Sequence, residues 1–446
     1  MNIKDQYEEL LKEELVQRAD EGCNILEILK VEELFDDPEK SYNSLPEPVV
    51  RPDFPFNEPE RLEDIIAECD FDYSLPKKEI SFDSILGAWT GRCVGCALGK
   101  PFERSPFTGG KDGLNGWKFI YEWYSQAGKY PIVSYAPKSS PAAEKYDIEL
   151  EPGSSPSYAE NIKFMQSDDD IRYMMIALIV LQKYGFDFTS ADVGRVWLSN
   201  LPVDMTFTAE RQAYINASLL NGFDNDDVFY ISHHNNPYRE WIGAQIRIDV
   251  YGYAAAGDPK KAATAAAKDA LFSHTKNGVY GAMFFAAVIA AAFAEKDINR
   301  LIDIGLSCIP RRCRLRSEIE AARQFALGAA DEKELAEKIV SRCPDMSTVH
   351  TINNAAMCTA ALVWGNGDFE KSVTTAVLGG LDTDCNGATV GSVAGALNGF
   401  AAIPDRWKAP LNDTIYSSIA GFHPIKISDC AKLTEKLRTG SAESGN

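Results

Sequence analysis

Residues Gly379 to Gly399 read GGLDTDCNGATVGSVAGALNG. Gly387, Gly391, Gly395 and Gly399 recur every four residues, and residues four apart share one helix face. A second ladder, Gly87, Gly91, Gly95 and Gly99, lies in GAWTGRCVGCALGKPFE, Gly87 to Glu103. Each glycine inside a helix costs roughly 1 kcal/mol against alanine, so the two ladders carry an intrinsic penalty of about 8 kcal/mol that something must offset. The pattern predicts two central helices with bare faces, open to close approach by another backbone or a ligand, and predicts that the two touch. The competing account places some of the glycines in loops and makes the spacing partly coincidence, and two matching runs in one chain weigh against it. The membrane form of this motif is excluded by flanking polar residues such as Arg92, Asn386 and Asn398.

Working outward, the patterns are mostly helical. Asp169 to Tyr184 is apolar on nearly all sides, which predicts a buried central helix. Ala262 to Phe272, Val279 to Ala294 and Ser317 to Leu327 continue the theme. No run of alternating β-branched residues and no strand–helix repeat stands out. The predicted class is all-α, a compact multi-helix bundle with long loops. Trp117 to Ser157, rich in Tyr, Pro and Ser, reads as an insertion or loop near a site. Residues 1–80 read as an extension packed on a main domain of residues 81–446. They open with an amphipathic pattern (Leu10, Leu11, Leu15, Val16, then Ile25, Leu26, Ile28, Leu29). A stretch with Pro46, Pro48, Pro52, Pro55 and Pro59 follows, then a helical piece with Leu62, Ile65 and Ile66.

The chain has 446 residues, with 45 Lys and Arg against 65 Asp and Glu, a net charge of −20. That balance argues against binding a nucleic-acid backbone or an anionic membrane surface. The longest nearly apolar run, Val279 to Ala294, falls short of the ~20 residues that a bilayer requires. The polar N-terminus shows no signal-peptide core. The ten cysteines read as small buried hydrophobes of a reducing, cytoplasmic setting, with Cys93-x-x-Cys96 structural. A chain of this length folds without metal or disulfides, so any metal would be there for chemistry.

Two acidic clusters stand at apparent helix starts. One is Gln166-Ser167-Asp168-Asp169-Asp170; the other is Leu381-Asp382-Thr383-Asp384-Cys385-Asn386, after Gly379 and Gly380. Helix capping needs one such residue, perhaps two, and not three consecutive aspartates. Carboxylates that close repel one another, increasingly so as water is excluded. A divalent cation removes the conflict, and oxygen ligands select a hard ion, Mg²⁺ or Ca²⁺, with Mn²⁺ as the alternative. Zinc is disfavoured because no His/Cys set with suitable spacing accompanies the carboxylates. Neither cluster follows the EF-hand spacing.

Three segments together resemble the ADP-ribosylglycohydrolase family. Gly87 to Glu103 is similar to its G-x-x-x-G-D-A-L-G-x-P-x-E signature, Ser167 to Asp170 to its T-D-D-T, and Gly379 to Gly399 to its G-G-D-T-D-x-x-A segment. Ser273-His274-Thr275-Lys276-Asn277-Gly278-Val279-Tyr280-Gly281 is a weaker match to S-H-x-x-x-G-x-Y. The resemblance spans about 81 to 410 and implies an all-α fold with two Mg²⁺ ions at its centre. It implies hydrolysis of an N- or O-glycosidic bond at the anomeric carbon of an ADP-ribosyl or ribosyl substrate, free or carried on a protein. Ser167, Asp168 and Asp169 would bind one ion, Asp382 and Asp384 the other. Glu103 would approach the metals from a loop, and His274, with Asn277 and Gly278, would contact substrate. Cys96 replaces the signature Asp, and Cys385 a Thr that binds metal in many members. A thiol is a poor Mg²⁺ ligand, which leaves one ion or two open.

In this reading Glu103, Asp169 and Asp384 carry catalysis, with Glu103 or a cluster Asp positioning or deprotonating water. His350 reads as a structural histidine and His233-His234 as loop material; Arg211, Arg239 and Arg247 read as ion-paired or solvated. Two other functions stay open: a nucleoside or sugar N-glycosidase on the same metals, and a non-catalytic ADP-ribose-binding or structural protein on this fold.

Overall fold

The computed structural model describes residues 3–25 and 37–440. The helices that organise it are, in chain order, α1 (Ile3–Asp20), α2 (Phe82–Gly99), α3 (Asp169–Tyr184), α4 (Lys276–Ala292), α5 (Arg314–Gly328), α6 (Thr351–Gly365), α7 (Phe369–Leu378) and α8 (Thr383–Asn398), joined by shorter helices and long loops. Among the described residues the only sheet is an antiparallel pair, Thr414–Ile415 with Ile425–Lys426. The fold is all-α, as the periodicities predict.

α2 and α8 run antiparallel, and the glycine ladders are their contact. Gly87 faces Gly395, Gly91 faces Gly391, Gly95 faces Gly387, and Gly99 faces Thr383. A methyl group on any of the four in α2 would overlap a backbone carbonyl oxygen of the opposing chain segment. The Thr383 hydroxyl closes the register by donating to Gly99 O at 2.9 Å. Backbone-to-backbone packing is the compensation for the weak helix propensity. It sets the C-terminus of α2 beside the N-terminus of α8.

α3 spans the predicted residues, capped by Asp168 and buried from Asp170 through Leu178. α4 is buried from Asn277 to Ala292, its Ala and Gly residues letting neighbours come close. The described part of the N-terminal region wraps on this body. α1 buries Leu11 and Leu15 against Tyr42 and Leu45. The proline stretch forms no helix, Asn57 N donates to Arg312 O at 2.7 Å, and a short helix Leu62–Ala67 buries Ile65. Leu26, Ile28 and Leu29 of the expected pattern lie outside the described residues.

One expectation is corrected. The segment from Trp117 begins as helix, Gly116–Gln126, with Trp117, Phe119, Ile120, Trp123 and Tyr124 buried. Those side chains recur at three- and four-residue spacing, and Trp123 and Tyr124 pack on Phe107 and Phe102 at centroid separations of 6.0 and 5.7 Å. The polar residues between them masked the period. Among the described residues no helix is long and apolar enough to cross a membrane.

Candidate active site

The site forms where the α2–α8 pair meets the start of α3. Asp382 caps α8. The turn before it passes through left-handed backbone at Gly380 and Leu381, with φ of 70° and 61°. This turn needs glycine at 380: a Cβ there would lie 3.0 Å from Phe107 O. Asn354 of α6 anchors the turn, its Oδ1 accepting from Asp382 N at 3.0 Å and Asn386 Nδ2 at 2.8 Å. Asp382 and Asp384 keep 6% and 1% exposure. The Oδ1 atom of each has no hydrogen-bond partner.

Asp168 caps α3 through its Oδ1, which accepts from Asp170 N at 3.1 Å. Its Oδ2 is in contact with the Lys100 ammonium, which also lies 3.5 Å from Glu103 Oε2. Asp170 Oδ1 pairs with Arg92 Nη2 at 2.8 Å, and its Oδ2 accepts from Cys385 Sγ at 3.2 Å, across 215 positions of sequence. Arg92 is fully buried and bridges onward to Asp249 Oδ2 at 2.7 Å. Ser167 Oγ accepts from Arg172 Nη1 at 3.1 Å and from Ser418 Oγ at 2.8 Å. Asp169 is half-buried, and its carboxylate makes no hydrogen bond or ion pair among the described residues.

The two acidic segments therefore converge. Cys96 Sγ and one oxygen each of Asp168, Asp170 and Asp384 all lie within 4.8 Å of one another, and ligand atoms of Asp382, Asp384 and Cys385 form a second such group. Electrostatics follow from burial and crowding. Burial, then the Asp168 charge, pushes Asp169 up to about 7. Burial with neighbouring carboxylates raises Asp170, Asp382 and Asp384. Asp168 resists the same burial and is held low by Lys100. Glu103 keeps 40% side-chain exposure, yet lost hydration and the Asp384 charge raise it well above the usual carboxylate range. Burial and adjacent carboxylates also raise the Cys96 and Cys385 thiols, keeping them protonated.

This donor set fits a hard divalent cation. Buried anionic oxygens without a donor are costly, and Asp382 Oδ1 and Asp384 Oδ1 are two such atoms. A cation between the acidic segments satisfies both.

The other expected residues have partners of their own. His274 is fully buried, with Nδ1 2.8 Å from Ser273 Oγ and Nε2 3.9 Å from Glu210 Oε1. Asn277 Nδ2 donates to Glu58 and Glu240, each at 2.8 Å, and Gly278 packs on the Arg239 backbone. The His274 ring belongs to neither acidic group. His350 caps α6, accepting from Ile352 N at 3.2 Å. Arg239 pairs with Glu14 and Glu21 at 2.7 and 2.9 Å, and Arg247 with Glu210 and Asp269 at 3.0 and 2.5 Å. The Arg211 guanidinium lies over the Phe207 ring, 5.5 Å from its centroid.

The pattern reading missed Arg92 and Lys100 as parts of the site and gave Cys96 and Asp170 no role of their own in it. A signal existed. Arg92, Cys96 and Lys100 each follow a ladder glycine, so they form their own four-residue stripe along α2. The glycine face is committed to α8, and the adjacent stripe points at whatever lies beside that contact.

A family model described as ADP-ribosylglycohydrolase matches residues 77–441. Comparison with curated proteins finds no match. Among solved structures, one titled "ADP-ribosylglycohydrolase-related protein complex" aligns with a TM-score of 0.49 at 19% identity, covering 81% of this chain and 99% of that one. The family match takes in both glycine helices and both acidic segments, so the chain belongs to the ADP-ribosylglycohydrolase family, a family of glycosyl-bond hydrolases.

Proposed function

We propose that this chain is a Mg²⁺-dependent hydrolase that cleaves the N- or O-glycosidic bond at the anomeric carbon of an ADP-ribosyl or ribosyl substrate. One observation carries the reading: Asp168 of one acidic segment and Asp384 of the other bring carboxylate oxygens within 4.8 Å in a buried group, and Asp384 and, in the adjoining group, Asp382 keep an unpartnered oxygen each. Ser167, Asp168, Asp169, Asp382 and Asp384 are the residues that would surround Mg²⁺, with Mn²⁺ as the substitute. When bound, such an ion supplies Lewis acidity that lowers the pKa of a water and orients ribose hydroxyls.

The remaining work falls to the chain. Breaking the bond develops positive charge at the anomeric carbon, and the aspartates ringing the site favour that charge. Water's oxygen bonds to the anomeric carbon as the bond to the leaving group breaks. Glu103 Oε takes the water's proton and returns it to the departing nitrogen or oxygen, which leaves neutral. Its raised pKa and half-open position at the mouth of the group suit a base that meets solvent and substrate. Residues 1–80 act as an extension on the catalytic domain of residues 81–446, with Glu58 and Gln17 bonded into the Asn277–Glu240 region. His274, Asn277 and Gly278 then meet substrate as that extension, bonded to Asn277 through Glu58, shifts.

The test is a panel of ADP-ribosylated arginine, ADP-ribosylated serine and simple ribosides, assayed with Mg²⁺ and with EDTA. Mg²⁺-dependent release of ADP-ribose or ribose supports the reading. Ligand-induced stabilisation with no turnover on any substrate ends it. Inhibition by free ADP-ribose separates an ADP-ribosyl substrate from a simple nucleoside.

A further inference from the structure

The α2 stripe places two cations against the first acidic segment. Arg92 satisfies Asp170 Oδ1, and Cys385 satisfies Asp170 Oδ2. Lys100 satisfies Asp168 Oδ2, and the Asp170 amide satisfies Asp168 Oδ1. Each oxygen of both carboxylates thereby already has a donor from the protein itself. The oxygens still unclaimed are those of Asp169 and the Oδ1 atoms of Asp382 and Asp384. The Lys100 side chain keeps 14% exposure, and its backbone follows Gly99, which is jammed against the Thr383 carbonyl. An ion on Asp168 Oδ2 would have to break this contact and leave an ammonium beside a dication in a poorly hydrated site, a like-charge cost. The thiol of Cys96 also stands within 4.8 Å of Asp168, Asp170 and Asp384, where an oxygen would be needed to complete a hard-ion shell.

We infer that the Lys100 ammonium is the chain's own cation for Asp168, so that the centre takes a single divalent ion, held on the side of the unpartnered Asp382 and Asp384 oxygens. This rests on the cation-centre reading above and narrows its ligand set. Lys100 is a positioning residue: it neutralises one carboxylate and leaves one ion position where the family resemblance implies two.

The experiment counts ions without turnover. Mn²⁺ is titrated into the full-length chain and free Mn²⁺ is read by electron paramagnetic resonance, with circular dichroism checking the fold of each variant. The wild type is expected to bind one ion per chain, Lys100→Arg one, and Lys100→Met two. Asp168→Asn is expected to keep the single ion, because Asp168 is not a ligand in this arrangement. Two ions on the wild type, one on folded Lys100→Met, or loss of the ion in folded Asp168→Asn overturns the inference, and the first or third does so even where Lys100→Met fails to fold. No Mn²⁺ bound by the wild type or by Lys100→Met rejects the cation centre itself, a different failure.

Discussion

Gly95 and Gly387 face each other so closely that a methyl group on either would overlap the other's carbonyl oxygen. In an open helix Gly→Ala gains about 1 kcal/mol. Here the sign reverses, because α2 and α8 must separate to admit the methyl and overpacking typically costs ~1–3 kcal/mol. Gly95→Ala is expected to lower the denaturant midpoint without changing the slope. A raised midpoint would show that the two backbones have room to spare.

Arg92 is the buried counter-charge for both Asp170 and Asp249. Arg92→Met strands two carboxylates in the core. Breaking a buried pair by removing one partner costs about 3–5 kcal/mol. Chemical denaturation of Arg92→Met should show a loss of that order, partly recovered in Arg92→Met/Asp170→Asn. An Arg92→Met protein of wild-type stability would mean the network is not what compensates those charges.

Asp384 lies in both acidic groups, and its charge is disfavoured by burial and by Asp168. Asp384→Asn is therefore expected to leave the metal-free protein at least as stable as wild type while abolishing divalent-ion binding and turnover. Thermal unfolding and isothermal titration read the two effects separately. A variant that still binds Mg²⁺ would remove Asp384 from the ligand set.

Glu103 carries the proposed proton transfer. Glu103→Gln keeps the shape and loses the base, so kcat is expected to fall ~10²–10⁴-fold with ion binding intact. An unchanged kcat would hand the proton to one of the cluster aspartates.

Acid should remove the stabilisation that Glu240, bonded to Gln17 of α1, and His350 contribute. Glu240 is buried; burial acts to raise it, but Arg314 overrides and holds it at about 2 against an ordinary 4.5. Burial lowers His350, 3.9 Å from Glu240, from 6.5 to about 4. Both folded values lie below the unfolded ones. The stability each contributes is complete above its unfolded value and is lost as pH falls through its folded value. The His350 contribution therefore fades between pH 6.5 and 4, and the Glu240 contribution between pH 4.5 and 2. The raised site carboxylates act in the opposite direction over the same window, so the readout is the difference: from pH 6.5 to 4 the unfolding free energy of wild type should fall relative to that of His350→Gln. Equal slopes would mean that His350 titrates alike in both states.

Much of the fold was legible locally. The limits of α3 follow from its apolar run, and its start from Asp168, because capping and periodicity act within one helix turn of the residues concerned. The acidic clusters were legible as helix starts for the same reason. The helix Gly116–Gln126 was not, since its aromatic spacing is broken by polar residues that face away from Phe102 and Phe107. His274 and Asn277 illustrate a different limit: sequence placed them in one loop but gave no sign that Glu58, 219 positions from Asn277, would bond there.

By itself the amino-acid order determined the helices, their bare glycine faces and the carboxylates at two helix starts, since each depends on neighbours three or four residues away. Only the tertiary structure decided that Gly95 would meet Gly387, that Arg92 would lie under Asp170, and that Lys100 would reach Asp168. A stripe on a helix states which way a side chain points; what it meets depends on how the helices pack, and that is settled by burial summed over the whole core.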